Sequence, residues 1–298
     1  MIGRVRLALE RIGLPVWFVA IDLLWIVRPE TLGIDARHYQ RATSAWLAGG
    51  NPWAVTESGV PFAAGPHTLL FFVPTSIVPL AVSVAIWMLL GAVGSVWLVR
   101  RLDLPLWWLL FPPLLHSAWN GNPQSVALPL LVLGGSAAAS LAVGLKLYAG
   151  LALFGRWRDL VVAGIVLLVT LPLLPWQLYL DGGLGVGSHL QTAWNGSAWR
   201  LPILIPFVLA ALWVLRDRGA EWFVVPAVFP ATQFYYVAMA LSAIGERRLV
   251  AAALALPMVL MAPLVVIALA IHALLTGSPS APLRLPWRPA PRDPAGAG

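Results

Sequence analysis

AVSVAIWMLLGAVGSVWLV, residues 81–99, carries no charge from end to end and is followed at once by Arg100 and Arg101. About twenty apolar residues in a helix span the hydrocarbon core of a bilayer. A basic pair closing such a run marks a loop left on the cytoplasmic side. The run lacks the two-residue alternation of a barrel strand. It reads as a membrane-spanning helix, and it sets the fold class for the whole chain.

Apolar stretches of the same kind fall at residues 12–28, 68–79, 104–118, 125–143, 145–155, 160–180, 201–215, 222–244 and 249–275. Of the 298 residues 60% are hydrophobic and 10% charged, where a soluble domain carries about 25% charged residues. So few charges cannot cover a soluble globule of this size, and so apolar a chain is not disordered. The expectation is an all-α polytopic transmembrane bundle of about eight to ten helices at ~20 residues each. It occupies residues 1–276, followed by a disordered tail at 277–298 with Arg284, Arg288 and Arg292 among its prolines. Some stretches are short, and Pro74, Pro79, Pro112 and Pro113 leave room for broken or re-entrant segments.

The net charge of +7 does not argue for nucleic acid, because the arginines sit in short clusters between apolar runs. Arg4, Arg6 and Arg11, Arg156 and Arg158, Arg216 and Arg218, and Arg247 and Arg248 follow the pattern of Arg100 and Arg101. This predicts a cytoplasmic N-terminus serving as a retained anchor, a multi-pass protein of the cell membrane, and polar segments 29–67 and 180–200 on the extracytoplasmic face. The absence of cysteine excludes disulfides and thiolate metal sites.

Residues 34–49 directly follow the first apolar run. Asp35, Tyr39, Ala42 and Trp46 share one helical face, with Arg37 and Arg41 four apart on the next. Gly49, Gly50 and Asn51-Pro52 end the helix. Two readings stand: an amphipathic helix lying on lipid, or a carboxylate held at the membrane surface beside arginines.

The stretch GIDARHYQRATSAWLAGGNPW (33–53) resembles the first-loop signature of glycosyltransferase family 87, polyprenol-phosphate-mannose-dependent enzymes of the C-type superfamily. Asp35, Tyr39, Ala42, Leu47, Gly49 and Pro52 match its pattern, and Trp53 stands where the family has tyrosine. Weaker echoes follow in order. GNPQSVALPLLVLG (121–134) is similar to a Gly-Gln segment interrupted by Asn122-Pro123, and VGLKLYAGLALFGRWR (143–158) to a lysine-bearing helix. WNGSAWRL (194–201) looks like an Asn-x-Ser…Arg segment. FPATQFYY (229–236) has Tyr235 or Tyr236 where histidine is expected. The chain is shorter than the family's usual length.

The resemblance implies transfer of a sugar, most simply mannose, from a polyprenyl-phosphate donor to an envelope glycolipid or glycan on the extracytoplasmic face. It implies Asp35 as general base, no metal or other cofactor, and no nucleic-acid partner. Arg37, Lys146 and Arg200 become candidates for the donor phosphate, and His38, Tyr39, Gln124, His189, Asn195 and Tyr235 candidates for lining the site. Lys146 is the only lysine and lies in an apolar run, so it either reaches a phosphate or snorkels to an interface. Asp22, inside the first run, either pairs with Lys146 or a backbone group or belongs to the site. Trp46, Trp53, Trp119, Trp194 or Trp199 could stack on sugar faces. The competing readings are a transporter or lipid flippase using Asp22 and Lys146, and a non-catalytic relative.

Overall fold

The computed structural model describes residues 13–183, 196–245 and 247–276. The N-terminal arginines, His189, Trp194, Asn195 and the tail at 277–298 lie outside them. The described residues are all-α apart from one small hairpin. Its helices are α1 (Gly13–Ile26), α2 (Ile34–Leu47), α3 (Pro66–Ser76), α4 (Leu80–Arg101), α5 (Pro112–Trp119), α6 (Gln124–Leu133) and α7 (Ser136–Leu145). They continue with α8 (Trp157–Val169), α9 (Trp176–Gly183), α10 (Ile205–Val214), α11 (Glu221–Val228), α12 (Phe234–Ile244), α13 (Arg248–Leu254) and α14 (Met261–Thr276). Strands β1 (Thr56–Glu57) and β2 (Val60–Pro61) pair antiparallel, with Glu57 opposite Val60.

Proline starts several of these helices, where its missing N–H costs nothing: Pro66 opens α3 and Pro112 opens α5. The same residues cut the apolar runs short. Among the described residues only α4 is by itself long and apolar enough to cross a membrane; the segment from Trp157 to Leu173 together with α9 makes a second, bent by 100°. The other apolar helices have 10–17 residues. The eight to ten helices expected from the runs, some of them short, are mostly short segments joined by 3-10 turns such as Leu106–Leu110 and Leu147–Leu153.

On α4 the inward face carries Ser83, Trp87, Gly91 and Ser95 at four-residue spacing, while Leu89 and Val93 are 65% and 59% exposed. Small residues and Trp87 point in along most of α4, with Leu98 and Val99 buried at its end, while several large aliphatic residues point out. Leu23 and Leu24 on α1, Val169 on α8, Phe207 and Trp213 on α10 and Leu275 on α14 are likewise exposed. The glycines of α4 let it approach α6 closely. A Cβ at Gly94 would stand 2.6 Å from the Ser125 carbonyl oxygen, and one at Gly91 would stand 2.5 Å from Ser125 Oγ. Close backbone approach through small residues is how helices associate where no hydrophobic effect drives them together.

Helix α2 does not lie on a surface. Ala36, His38, Tyr39, Gln40, Ala42 and Thr43 are buried against α3 and α4. The Tyr39 ring stacks on Phe72 of α3 at 5.0 Å, and Phe72 stacks on Trp87 of α4 at 4.0 Å. The amphipathic pattern at 34–49 is thus a packing face, with Arg37 and Arg41 on its outer side.

Gly94→Leu should destabilise the α4–α6 seam, because the carbonyl it meets is backbone and cannot rotate away; overpacking of this kind costs ~1–3 kcal/mol. Gly164→Leu on α8, where a Cβ meets nothing within 4 Å, is the control and should leave the thermal midpoint unchanged or raised. Equal losses in a thermal-unfolding measurement would refute the seam.

Candidate functional site

The site begins at the N-terminus of α2, whose first backbone donors are satisfied by another helix. Gly33 N–H donates to the Trp119 carbonyl at 2.9 Å, and Asp35 N–H donates to the Asn120 carbonyl at 2.9 Å. The fit needs glycine on both sides. Gly33 has φ +65°, and a Cβ there would meet Val84 Cγ1 at 2.3 Å; Gly121, also at φ +65°, would put a Cβ 2.8 Å from that of Ala36. Because backbone carbonyls cap α2, the Asp35 carboxylate is not used as a cap. Its Oδ2 instead accepts a hydrogen bond from Asn122 Nδ2 at 2.7 Å. Asn122 is buried, and its Oδ1 accepts the Gln124 N–H at 2.9 Å, which orients the amide.

Lys146 follows the last residue of α7 in extended conformation, which turns its side chain inward. It is 5% exposed, donates from Nζ to the Tyr39 hydroxyl, and lies 4.9 Å from the Tyr39 ring centroid and 5.8 and 5.9 Å from those of Tyr148 and Tyr235. It forms no ion pair among the described residues. A buried ammonium held by one hydroxyl and ring faces has recovered only part of its hydration. Behind it, Tyr148 donates to Gln124 Oε1, and Gln124 Nε2 donates to the Tyr235 carbonyl at 2.9 Å. Tyr148 and Tyr236 pack ring to ring at 4.2 Å.

These residues surround a cavity of about 520 Å³ lined by Asp35, His38, Lys146 and Tyr39, Tyr148, Tyr179, Tyr235 and Tyr236. All five tyrosines of the chain and its one lysine converge here. A second cavity, of about 420 Å³, shares Asp35, His38, Val60 and Gln233 with the first. It runs between the end of α1 and the segment leading into α14, past Trp25, Ile26, Met258 and Val259, and among the described residues no lysine or arginine lines it. Asp35 and His38 stand in the wall between the two.

Burial pushes the Asp35 carboxyl above its ordinary range; the Asn122 hydrogen bond opposes this, followed by the charges of Lys146, His38 and Arg37. Desolvation outweighs the neighbouring cations. Asp35 is only half-buried by surface, yet it lies deep in the fold, since the surface it shows faces the cavities. Burial lowers the His38 imidazole, against the opposing effects of its Val55 partner and Asp35. Its Nε2 lies 3.2 Å from the Val55 carbonyl, and as that oxygen can only accept, Nε2 carries the proton.

Of the residues singled out from sequence, Asp35, His38, Tyr39, Lys146 and Tyr235 meet at this cavity. Lys146 does not snorkel. Arg37 is turned away: its Nε donates to Glu57 Oε1 at 3.2 Å and its Nη1 to the Leu32 carbonyl, while Arg41 takes the other Glu57 oxygen. Together they clamp the hairpin. Arg200 is exposed on the turn Ala198–Arg200 and lines neither cavity. Gln124 stands one layer behind the tyrosines. Asp22 is buried with no donor to either oxygen among the described residues, so it does not pair with Lys146. Trp53 is buried, with its Nε1 donating to the Ala64 carbonyl at 3.0 Å, and serves packing. His189 and Asn195 lie outside the described residues. Sequence reasoning missed Asn122, Glu57, Tyr148 and Tyr179. The tyrosines had a signal, the scarcity of that residue in so aromatic a chain; Asn122 had none.

No family model matches this chain, and neither a curated protein nor a solved structure matches it.

Asn122→Ala should move the Asp35 carboxyl further up, since it deletes the strongest influence that lowers it. An infrared pH titration of the carboxylate band, with Asp35→Asn as the blank, reads this directly. An unchanged midpoint would remove Asn122 from control of Asp35.

Proposed function

We propose that this protein is a membrane-embedded glycosyltransferase that moves a sugar, taken here as mannose, from a polyprenyl-phosphate carrier to an acceptor hydroxyl. The observation that carries the reading is the position of Asp35, in the wall between a cavity holding the one lysine with all the tyrosines and a second, largely aliphatic cavity. A transferase must bring two substrates to one base. The first-loop resemblance to glycosyltransferase family 87 puts its general base at the same residue.

In this reaction the acceptor oxygen attacks the anomeric carbon, the bond from that carbon to the phosphate oxygen breaks, and the phosphate leaves with the electron pair. Asp35 takes the acceptor's proton. Single displacement inverts the anomeric centre. Asn122 holds Oδ2, which leaves Oδ1 for the hydroxyl. A carboxylate whose affinity for protons is raised by burial is a better base than one in water, provided the pH keeps it ionised. Lys146 meets the departing phosphate: it is already desolvated and forms no ion pair among the described residues, so its charge acts on the group where negative charge accumulates. Tyrosine faces suit a sugar ring, which presents C–H groups to them. Arg37 contributes by holding the hairpin that closes over the cavity rather than by touching phosphate.

The membrane part of the reading rests on the length and apolarity of α4 and the apolar outer surface of α1, α4, α8, α10 and α14. The basic clusters then place Arg158 in the cytoplasm and Ser58, at the hairpin tip, outside. Both positions are exposed, and the chain has no native cysteine. In intact cells Ser58→Cys should react with an impermeant thiol reagent and Arg158→Cys only after lysis; the opposite order would put the site on the wrong face.

With purified protein and polyprenyl-phosphate-mannose, Asp35→Asn should lower transfer by ~10²–10⁴ while donor binding persists. Lys146→Met should lower donor use by roughly tenfold or more. As pH falls, activity should be lost above the usual carboxylate range of ~3.9, because the base must be ionised and its pKa is raised. Transfer by Asp35→Asn above a few per cent of wild type would sink the catalytic assignment.

A further inference from the structure

The second cavity beside Asp35 has most of its hydrogen-bonding groups committed to the protein itself. Asp35, His38, Glu57, His116, Thr232 and Gln233 bring a carboxyl, imidazole, hydroxyl or amide group to its wall. The His38 proton goes to the Val55 carbonyl, and the Thr232 hydroxyl lies 3.0 and 2.7 Å from the Val225 and Phe229 carbonyls. Glu57 is held by Arg37 and Arg41. Of the six, His116 and Gln233 keep a donor to offer a ligand.

The histidine is the one whose place is fixed. Its ring stands edge-on to Tyr235 at 5.7 Å and against Phe234 at 5.8 Å. It belongs to the last turn of α5, where its carbonyl accepts the Asn120 N–H at 3.1 Å. The carbonyls of Trp119 and Asn120 in turn cap α2, so a short, hydrogen-bonded stretch of backbone connects the imidazole to Asp35. His116 Nδ1 is enclosed and has no partner among the described residues. A proton there would be a buried donor with nothing to receive it, so the ring keeps its proton on Nε2. No described residue accepts from that nitrogen either. An imidazole set without a partner in a largely aliphatic wall costs stability that a ligand would restore.

We propose that His116 determines what the second cavity accepts, its Nε2 donating to one oxygen of a polyhydroxylated ligand while another hydroxyl of that ligand meets Asp35. A ligand with a single hydroxyl satisfies the carboxylate alone, whereas a sugar or other polyol satisfies both groups. Two contacts also fix which hydroxyl reaches the base. Among the described residues no lysine or arginine lines this cavity, so the part of the ligand held there is uncharged. Calling this ligand the acceptor rests on the transferase reading; the recognition does not.

The probe is octyl α-D-mannopyranoside, a sugar on a short apolar chain that suits a mostly apolar lining, together with its monodeoxy analogues. Saturation-transfer NMR on the full chain in nanodiscs, below the micelle concentration, reads their affinities. Wild type should bind one of the analogues about tenfold more weakly than the parent, because a site built to hydrogen-bond a hydroxyl rejects the molecule lacking it. His116→Phe keeps a ring against Phe234 and Tyr235; it should bind the parent about tenfold more weakly and no longer distinguish that analogue. His116→Met does the same without a ring and guards against a folding defect of the first variant, and His116→Gln, which keeps a donor, should recover part of the discrimination. Undiminished discrimination in both apolar variants overturns the proposal, as does a wild type that binds none of the glycosides or binds all of them equally. Transfer separates the two readings. Wild type that discriminates through His116 but moves no mannose onto the probe sinks the transferase and leaves the recognition standing. Transfer with the same selectivity in wild type and His116→Phe sinks only the role of His116.

Discussion

The hydrogen bond from Asn122 to Asp35 is the constraint on which the rest of the site depends, because the turn that carries Asn122 makes three connections at once. Its backbone carbonyls at Trp119 and Asn120 cap α2, its amide fixes the carboxylate, and its next side chain, Gln124, ties Tyr148 to the backbone of Tyr235. One short segment between α5 and α6 therefore sets the position of the carboxylate and of two rings of the lysine cage. The glycines at 33 and 121 are what let these backbones touch. A side chain at either would separate the carboxylate from its partner before any chemistry could be considered.

Charge is used sparingly and in two distinct ways. Arg37 and Arg41 neutralise Glu57 and fasten the hairpin to α2, so their charges are spent on structure. Lys146 has hydroxyl and ring neighbours instead, which support the ammonium without cancelling it. The difference follows from surroundings. A carboxylate within reach turns an arginine into a brace, whereas an aromatic cage leaves a cation able to act on an incoming anion. Asp35 shows the complement: dehydrated by the fold, opposed by one amide and a nearby lysine, it is held more basic than a carboxylate in water.

The sequence pattern at 34–47 was legible as a helix because its periodicity and its glycine stop are local properties, and Asp35, His38 and Tyr39 were legible as a group because a helix sets their spacing. The orientation of that helix was not. An amphipathic face reads the same whether it meets lipid or protein, and only the rings of Phe72 and Phe62 against Tyr39 show that it meets protein. The pairing of Arg37 was hidden for the same reason, since nothing local announces that Glu57, twenty residues on, lies within reach of it.

Composition, apolar periodicity and the placement of arginines were enough to establish an all-helical, strongly apolar chain with one carboxylate–tyrosine face after its first helix, because these are additive properties of residues and their neighbours. Helix lengths escaped them, since proline and glycine break apolar runs at points set by packing. The convergence of Lys146, Asn122 and five tyrosines drawn from positions 39 to 236 on one cavity belongs to tertiary structure alone. It is a matter of which distant backbones can approach, and that is decided by shape and close contact between helices rather than by any property a residue carries along the chain.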